Sequence, residues 1–280
     1  MKNYLIIGYG KVGTHLHSTF KNSVKDVNVK IIKSPGSKIT KNDMAEANII
    51  LICTQDDKIP GAVKCILKTN AGLKGKIIVH TSGALTSDEL IKLKKMGAFT
   101  ASFHPVQTFM NKAGKKDELF KNIYIAIEGT PAAKKELNKV AKKINAIPFI
   151  INKDFKILHH LCCVISSNYL ITNLSFLRDI YTKKNGFKKV NFFNIYMPLI
   201  RQTIRNIETA GIESALTGPV ARKDFKTIEK HINVLKKLNM SEIADYYKFI
   251  GLKTINLAKR KEGFNKKDLQ KLHKLFRVKN

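Results

Sequence analysis

Three glycines near the start of the chain, Gly8, Gly10 and Gly13, stand in G-x-G-x-x-G spacing directly after the apolar run Tyr4-Leu5-Ile6-Ile7. Between a strand and a helix, this spacing suits a dinucleotide. Gly8 permits the tight bend, Gly10 admits a pyrophosphate close to the backbone, and Gly13 lets the next helix pack on its strand. That helix turns free N–H groups and its positive dipole end to the phosphates, with Tyr9, Lys11 and Val12 in the same turn. The alternative is a turn of this type that serves structure alone. An NAD-binding chain usually carries Asp or Glu about 20 residues further on, for the ribose 2′-hydroxyl. Here the corresponding stretch holds Lys33, Ser34, Ser37 and Lys38, with no carboxylate before Asp43. Cations and hydroxyls suit a 2′-phosphate, so the expected cofactor is NADP(H).

A second group of reactive side chains lies far along the chain. Lys156, His160, Cys163 and Ser167 recur at i, i+4, i+7 and i+11, one face of a helix. Hydride addition to a carbonyl builds negative charge on oxygen, which a positioned cation or proton donor stabilises. Lys156 and His160 are the expected catalytic pair; the alternative is a solvated lysine followed by ordinary polar helix residues. In Phe103-His104-Pro105-Val106-Gln107 the proline keeps His104 extended, which presents His104 and Gln107 to a binding site unless His104 is purely structural. Thr54, Gln55 and Ser82 follow predicted strands and would line a nicotinamide pocket, or else form plain turns. Asp56 and Asp57 equally suit the start of a helix. Thr217 and Arg222 are candidates for a substrate carboxylate, while Asp224 suits an N-cap. The run His159-His160-Leu161-Cys162-Cys163 pairs either histidine with Cys163, but no second cluster completes a four-ligand set, so no metal site is expected.

These residues need a scaffold, and the hydrophobic pattern supplies one. Strand-like runs fall at 4–7, 27–33, 48–54, 76–81, 99–103, 123–128 and 148–151, with helix-like segments at 87–95 and 131–144 between them. The alternation predicts a parallel, doubly wound α/β sheet covered on both faces. Residues 154–183 contain neither Gly nor Pro and read as one long helix. Further helices follow, among them 241–259 with Ser241 as N-cap and 266–276 with Asn265 in that role. The predicted organisation is a Rossmann domain over 1–152 and an all-helical substrate and dimerisation domain over 153–280, with the ligand between them.

Composition narrows the class. The chain has 280 residues and a net charge of +30, yet only six of its 51 basic residues are arginines. The lysines are spread along the chain without a nucleic-acid-binding module, which predicts a solvated surface and no nucleic-acid partner. No run reaches the roughly 18 apolar residues of a membrane span, and with the first strand predicted from residue 4 no secretory leader is expected. Four cysteines, irregularly spaced, do not make a disulfide framework. A cytoplasmic location with reduced thiols is expected.

Five segments together carry a family resemblance: Gly8-x-Gly10-x-x-Gly13, His80-Thr81-Ser82-Gly83-Ala84, Ser102 to Phe109, Ser167-Asn168-Tyr169-Leu170, and Leu216 to Arg222. The chain resembles the Rossmann-like proteins with a DUF2520 C-terminal domain, in the superfamily of 6-phosphogluconate-dehydrogenase-like proteins. It departs at His159, where the family pattern has tyrosine before its histidine. The resemblance implies an NAD(P)-dependent oxidoreductase and a homodimer formed through the helical domain. Several superfamily members carry a catalytic lysine where Lys156 stands, and hydroxyacid dehydrogenases carry asparagine where this chain has His160. The leading substrate by resemblance is a small oxo acid, 2-dehydropantoate, with pyrroline-5-carboxylate and prephenate chemistry as alternatives. His104, Gln107, Ser167 and Asn168 would shape its pocket. A non-catalytic, nucleotide-responsive regulator is the remaining alternative.

Overall fold

The computed structural model describes residues 2–33, 39–110, 118–183, 191–260 and 263–277, so Ser34, Ser37 and Lys38 lie outside the described residues. Seven strands form one sheet: β1 (Lys2–Ile7), β2 (Val27–Ile32), β3 (Ile49–Ile52), β4 (Ile77–His80), β5 (Phe99–Pro105), β6 (Tyr124–Gly129) and β7 (Ile147–Ile150), in the order β2-β1-β3-β4-β5-β6-β7. All seven predicted strands are present. The sheet is not wholly parallel, because β6 runs antiparallel to β5, with Phe103 opposite Ile127. Direction is invisible in a strand's own residues; it is set by the connection, and no crossover helix is found among the described residues between β5 and β6.

Both faces of the sheet are covered, as the continuous apolar runs require. Tyr4 and Ile6 of β1 point to one face, beneath Leu16 and Phe20 of α1 (Lys11–Ser23) and Leu137 of α5 (Pro131–Lys143). Leu5 and Ile7 point to the other, against Met44 of α2 (Lys41–Glu46), Val63 and Ile66 of α3 (Ile59–Lys68) and Leu93 of α4 (Ile91–Lys95). The segment predicted as a helix over 87–95 is a 3₁₀ turn, Ser87–Leu90, that passes into α4. Asp56 and Asp57 do open a short 3₁₀ turn ahead of α3.

The long Gly- and Pro-free segment is α6 (Lys156–Lys183), entered through a 3₁₀ turn at Lys153–Phe155. The chain forms two compact units, Met1–Leu170 and Ile171–Asn280, and the division falls inside α6 rather than at residue 152. The buried Lys156 side chain ties the first turn of the helix to the sheet unit. Lys153–Lys183 is long and apolar enough by composition to cross a membrane, although it contains no uninterrupted apolar run of that length. Residues 157–177 carry no Asp, Glu, Lys or Arg, while His, Ser, Asn and Thr are interspersed.

The second unit contains α7 (Phe192–Ala215), α8 (Phe225–Lys237), α9 (Ser241–Ala258) and α10 (Lys266–Phe276) around Ile228, Ile232, Ile255, Leu272 and Phe276. Asn265 caps α10 in a reciprocal capping box with Asp268, and Asp224 caps α8 by accepting from the Thr227 N–H. Ser241 does not cap α9: the N-cap position is Met240, and Ser241 is already helical.

Candidate functional site

The glycine turn is built for close approach. Gly8 has φ +111, and a Cβ there would lie 2.8 Å from the Cys53 carbonyl carbon; a Cβ on Gly13 would lie 2.1 Å from Gly8 O. Neither position tolerates a side chain, so the turn and α1 are clamped onto the end of β3. A Cβ on Gly10 would meet only Cys53 O, at an ordinary 3.7 Å.

Above this turn lies a cavity of about 600 Å³, lined by the turn from Gly8 to Val12, by Lys33, by the ends of β3 and β4, and by His104, Gln107 and His160. Thus Gly8, Tyr9, Gly10, Lys11, Val12, Lys33, Thr54, Gln55 and Ser82 of the expected cofactor set meet around one space. Gly13 lies below it, buried against Gly8. Buried Thr54 Oγ1 has no hydrogen-bond partner among the described residues, which leaves a donor and an acceptor available at the cavity edge. Ser82 plays a different part from the one expected of its side chain. Its hydroxyl donates to Asp56 at 2.8 Å and accepts from the Leu85 N–H at 3.0 Å and the Ala84 N–H at 3.2 Å, fixing the loop after β4. Asp56 and Gly83, from the same two strand-end segments, also line the cavity, as does Phe109, which sequence reasoning did not assign to it.

A second cavity, about 460 Å³, adjoins the first through His104, Gln107 and His160 and adds His159, Cys163, Ser167 and Asn168. The four expected substrate residues on the sheet unit, His104, Gln107, Ser167 and Asn168, therefore come together. Thr217 and Arg222 belong to the other unit: Thr217 lines a separate cavity of about 340 Å³ there, and Arg222 stands on the turn before α8.

Lys156 is the strongest departure from ordinary packing. Its side chain is 0% exposed, lines neither cavity, and donates through Nζ to Ser82 O at 3.0 Å. The solvated-lysine alternative is thereby overturned. Burial drags its pKa down to about 8, against the opposing pull of Glu128 and Asp56. Burial also holds His104 neutral, with its pKa down at about 3, and Lys156, His159 and His160 add to the effect. Its Nδ1 is buried without a partner among the described residues. Beneath the site His80 is fixed in one tautomer, Nε2–H donating to Thr86 O at 2.9 Å and Nδ1 accepting from the Ser82 N–H at 3.2 Å.

This is the architecture of a nucleotide-binding α/β unit whose phosphate turn opens towards an imidazole-lined cavity. Comparison with known proteins agrees with that class. Residues 3–105 match the Rossmann-like domain and residues 123–254 match the domain of unknown function DUF2520, so the chain carries both domains. No curated protein sequence matches it. Among solved structures, it is similar to an NADP oxidoreductase from Bacteroides fragilis, at 18% identity and a TM-score of 0.69 over 91% of this chain and 97% of that one. It is also similar to NADP-bound pyrroline carboxylate reductase of Plasmodium falciparum, at 13% identity and a TM-score of 0.55 over 99% and 98%. A Bacillus cereus imine reductase follows at 15% and 0.56 over 91% and 94%. Identities this low mark a shared fold.

Proposed function

We infer that this chain is an NADP(H)-dependent reductase of a small C=O or C=N compound. One observation carries the reading: a single cavity joins the phosphate-binding turn and Lys33 to His104, Gln107 and His160. Gly8 and Gly10 line the cavity without side chains, and Thr54 Oγ1 lacks a partner among the described residues, so the residues present fit a dinucleotide. When bound, NADP(H) supplies hydride chemistry. The glycine turn binds the pyrophosphate, Lys33 attracts a 2′-phosphate, and Gln107, Ser167 and Asn168 orient the substrate. His160 lines both cavities and delivers the proton to the reduced oxygen or nitrogen. Lys156 acts as a positioning residue: its ammonium fixes Ser82 O and places a positive field behind the reacting atoms.

Two of these structural relatives are named for C=N reduction and none for 2-dehydropantoate, so cyclic imines move ahead of that oxo acid as test compounds. A homodimer is part of the same reading, because α6 exposes Ile157, Leu161, Ile165, Tyr169 and Ile171; light scattering checks it, and a monomer that partitions onto vesicles would reassign that face.

Fluorescence titration with NADPH and NADH, followed by NADPH oxidation over cyclic imines, 2-dehydropantoate and other 2-oxo acids, tests the function. Tighter NADPH binding and turnover of one class are expected. Cofactor binding without turnover would favour a regulator. Absence of cofactor binding, with nucleic-acid binding that survives physiological salt, would reverse the reading.

A further inference from the structure

The second cavity holds a cluster that its location in sequence conceals. His104 comes from β5, and His159 and Cys163 lie one turn apart on α6, 55 and 59 residues later. One ligating atom from each lies within 4.8 Å of the other two, and His159 Nε2 stands 3.8 Å from Cys163 Sγ. In a tetrahedral zinc site with Zn–N near 2.0 Å and Zn–S near 2.3 Å, donor atoms lie about 3.3–3.6 Å apart. The helical pair is already close to that spacing, and His104 needs a shift of at most about 1.5 Å, within the reach of a side-chain torsion.

The lining decides which class of ion the cluster suits. His104 and His159 are both half-buried and bring their ring nitrogens together from a strand and a helix. Neutral imidazole is the ligating form. The cavity lining contains no carboxylate among the described residues, so the donor set is nitrogen and sulfur, which selects zinc-class ions over magnesium or calcium. Cys163 ligates as the thiolate, so binding must displace its proton. The resulting thiolate offsets one of the two metal charges close to Lys156.

We propose that His104, His159 and Cys163 form a three-ligand site for a zinc-class divalent cation, with its fourth position open to the cavity that adjoins the nucleotide turn. The site stands on side-chain geometry and does not depend on the reductase reading.

Titration of the metal-free full-length chain with Co²⁺ reads the site directly. One equivalent is expected to bind with a thiolate-to-cobalt charge-transfer band, about one proton released per ion, and displacement by Zn²⁺. C163A should abolish the band and weaken binding at least about a hundredfold. H159Y, which removes the ring-nitrogen donor but keeps an aromatic ring, should weaken binding by about tenfold or more while leaving the fold intact by circular dichroism. C162A, whose thiol is exposed and outside the cluster, should retain the band. The proposal is overturned if the parent chain shows no stoichiometric band, if H159Y binds as tightly as the parent, or if the band follows Cys162 instead of Cys163.

Discussion

Replacing Lys156 by methionine keeps an unbranched chain of similar length but removes the ammonium, which makes it a direct probe of the buried charge. The depression of the Lys156 pKa from 10.5 to about 8 corresponds to a cost of about 3 kcal/mol for the charged form in the folded protein, at about 1.4 kcal/mol per unit. Methionine escapes that cost but leaves Ser82 O without its donor, a loss of about 1–2 kcal/mol. Near pH 7, K156M should therefore be at least as stable as the parent, by about 1–2 kcal/mol. The pH dependence fixes the sign. Between pH 8 and 10.5 the unfolded lysine holds its proton while the folded one has released it, so parent stability rises with pH in that window. K156M lacks this gain, and its advantage should shrink by about 2–3 kcal/mol on going to about pH 10. Urea unfolding of both proteins at the two pH values measures the difference and cancels the other lysines. In the same variant, turnover of whichever substrate is found should fall about a hundredfold, and the loss of parent activity as pH rises through about 8 should vanish. K156R should restore part of the activity. A stability difference that stays constant with pH, or near-normal turnover by K156M, would refute the reasoning that the buried charge is kept for chemistry rather than for the fold.

Gly13→Ala places a methyl 2.1 Å from Gly8 O and should weaken NADPH binding by about tenfold or more while costing about 2–4 kcal/mol of stability, read by titration and urea unfolding. Gly83→Ala sets a methyl 2.5 Å from His160 Cδ2 and 2.7 Å from His104 Nε2. It should depress turnover strongly with a stability change of only about 1–2 kcal/mol, because rings at a cavity wall can yield. Lys33→Ala should lower NADPH affinity about tenfold and leave NADH affinity unchanged, narrowing the preference. His104, with its pKa lowered from 6.5 to about 3 in the folded chain, should make the protein less stable by about 2 kcal/mol at pH 5 than at neutral pH, because the unfolded imidazole takes up the proton. His104→Asn should flatten that part of the unfolding curve.

The sheet was legible because each strand is a short apolar run, and runs such as Ile49–Ile52 and Ile77–His80 are buried throughout. Their direction was not, since the β5–β6 reversal depends on a connection rather than on either strand. The phosphate turn was legible for a related reason: steric exclusion at Gly8 and Gly13 is local and leaves a fixed spacing in the sequence. Lys156 could be placed on a helix face but not inside the protein, because lysine is ordinarily among the most exposed residues and only its bond to Ser82 O, 74 residues away, accounts for its position. Asp56 opens a 3₁₀ turn at a strand end as its position suggests, but its bond to Ser82 Oγ, 26 residues away, is not visible in the sequence.

The His159-His160 doublet shows where sequence and structure divide the work. Adjacent helical residues point about 100° apart, so helical periodicity assigns them different directions without saying which one matters. His104, held extended ahead of Pro105, supplies the missing reference point. Its ring lies 5.8 Å from that of His159 and 6.1 Å from that of His160. Of the two helical rings, only that of His160 also lines the nucleotide cavity, whereas His159 is the one that pairs with Cys163. One strand-borne imidazole thus separates the two proposed roles of its helical neighbours, proton delivery at His160 and cation binding at His159. A substitution at His159 should therefore change metal affinity while sparing cofactor binding, and one at His160 should lower turnover while sparing the metal.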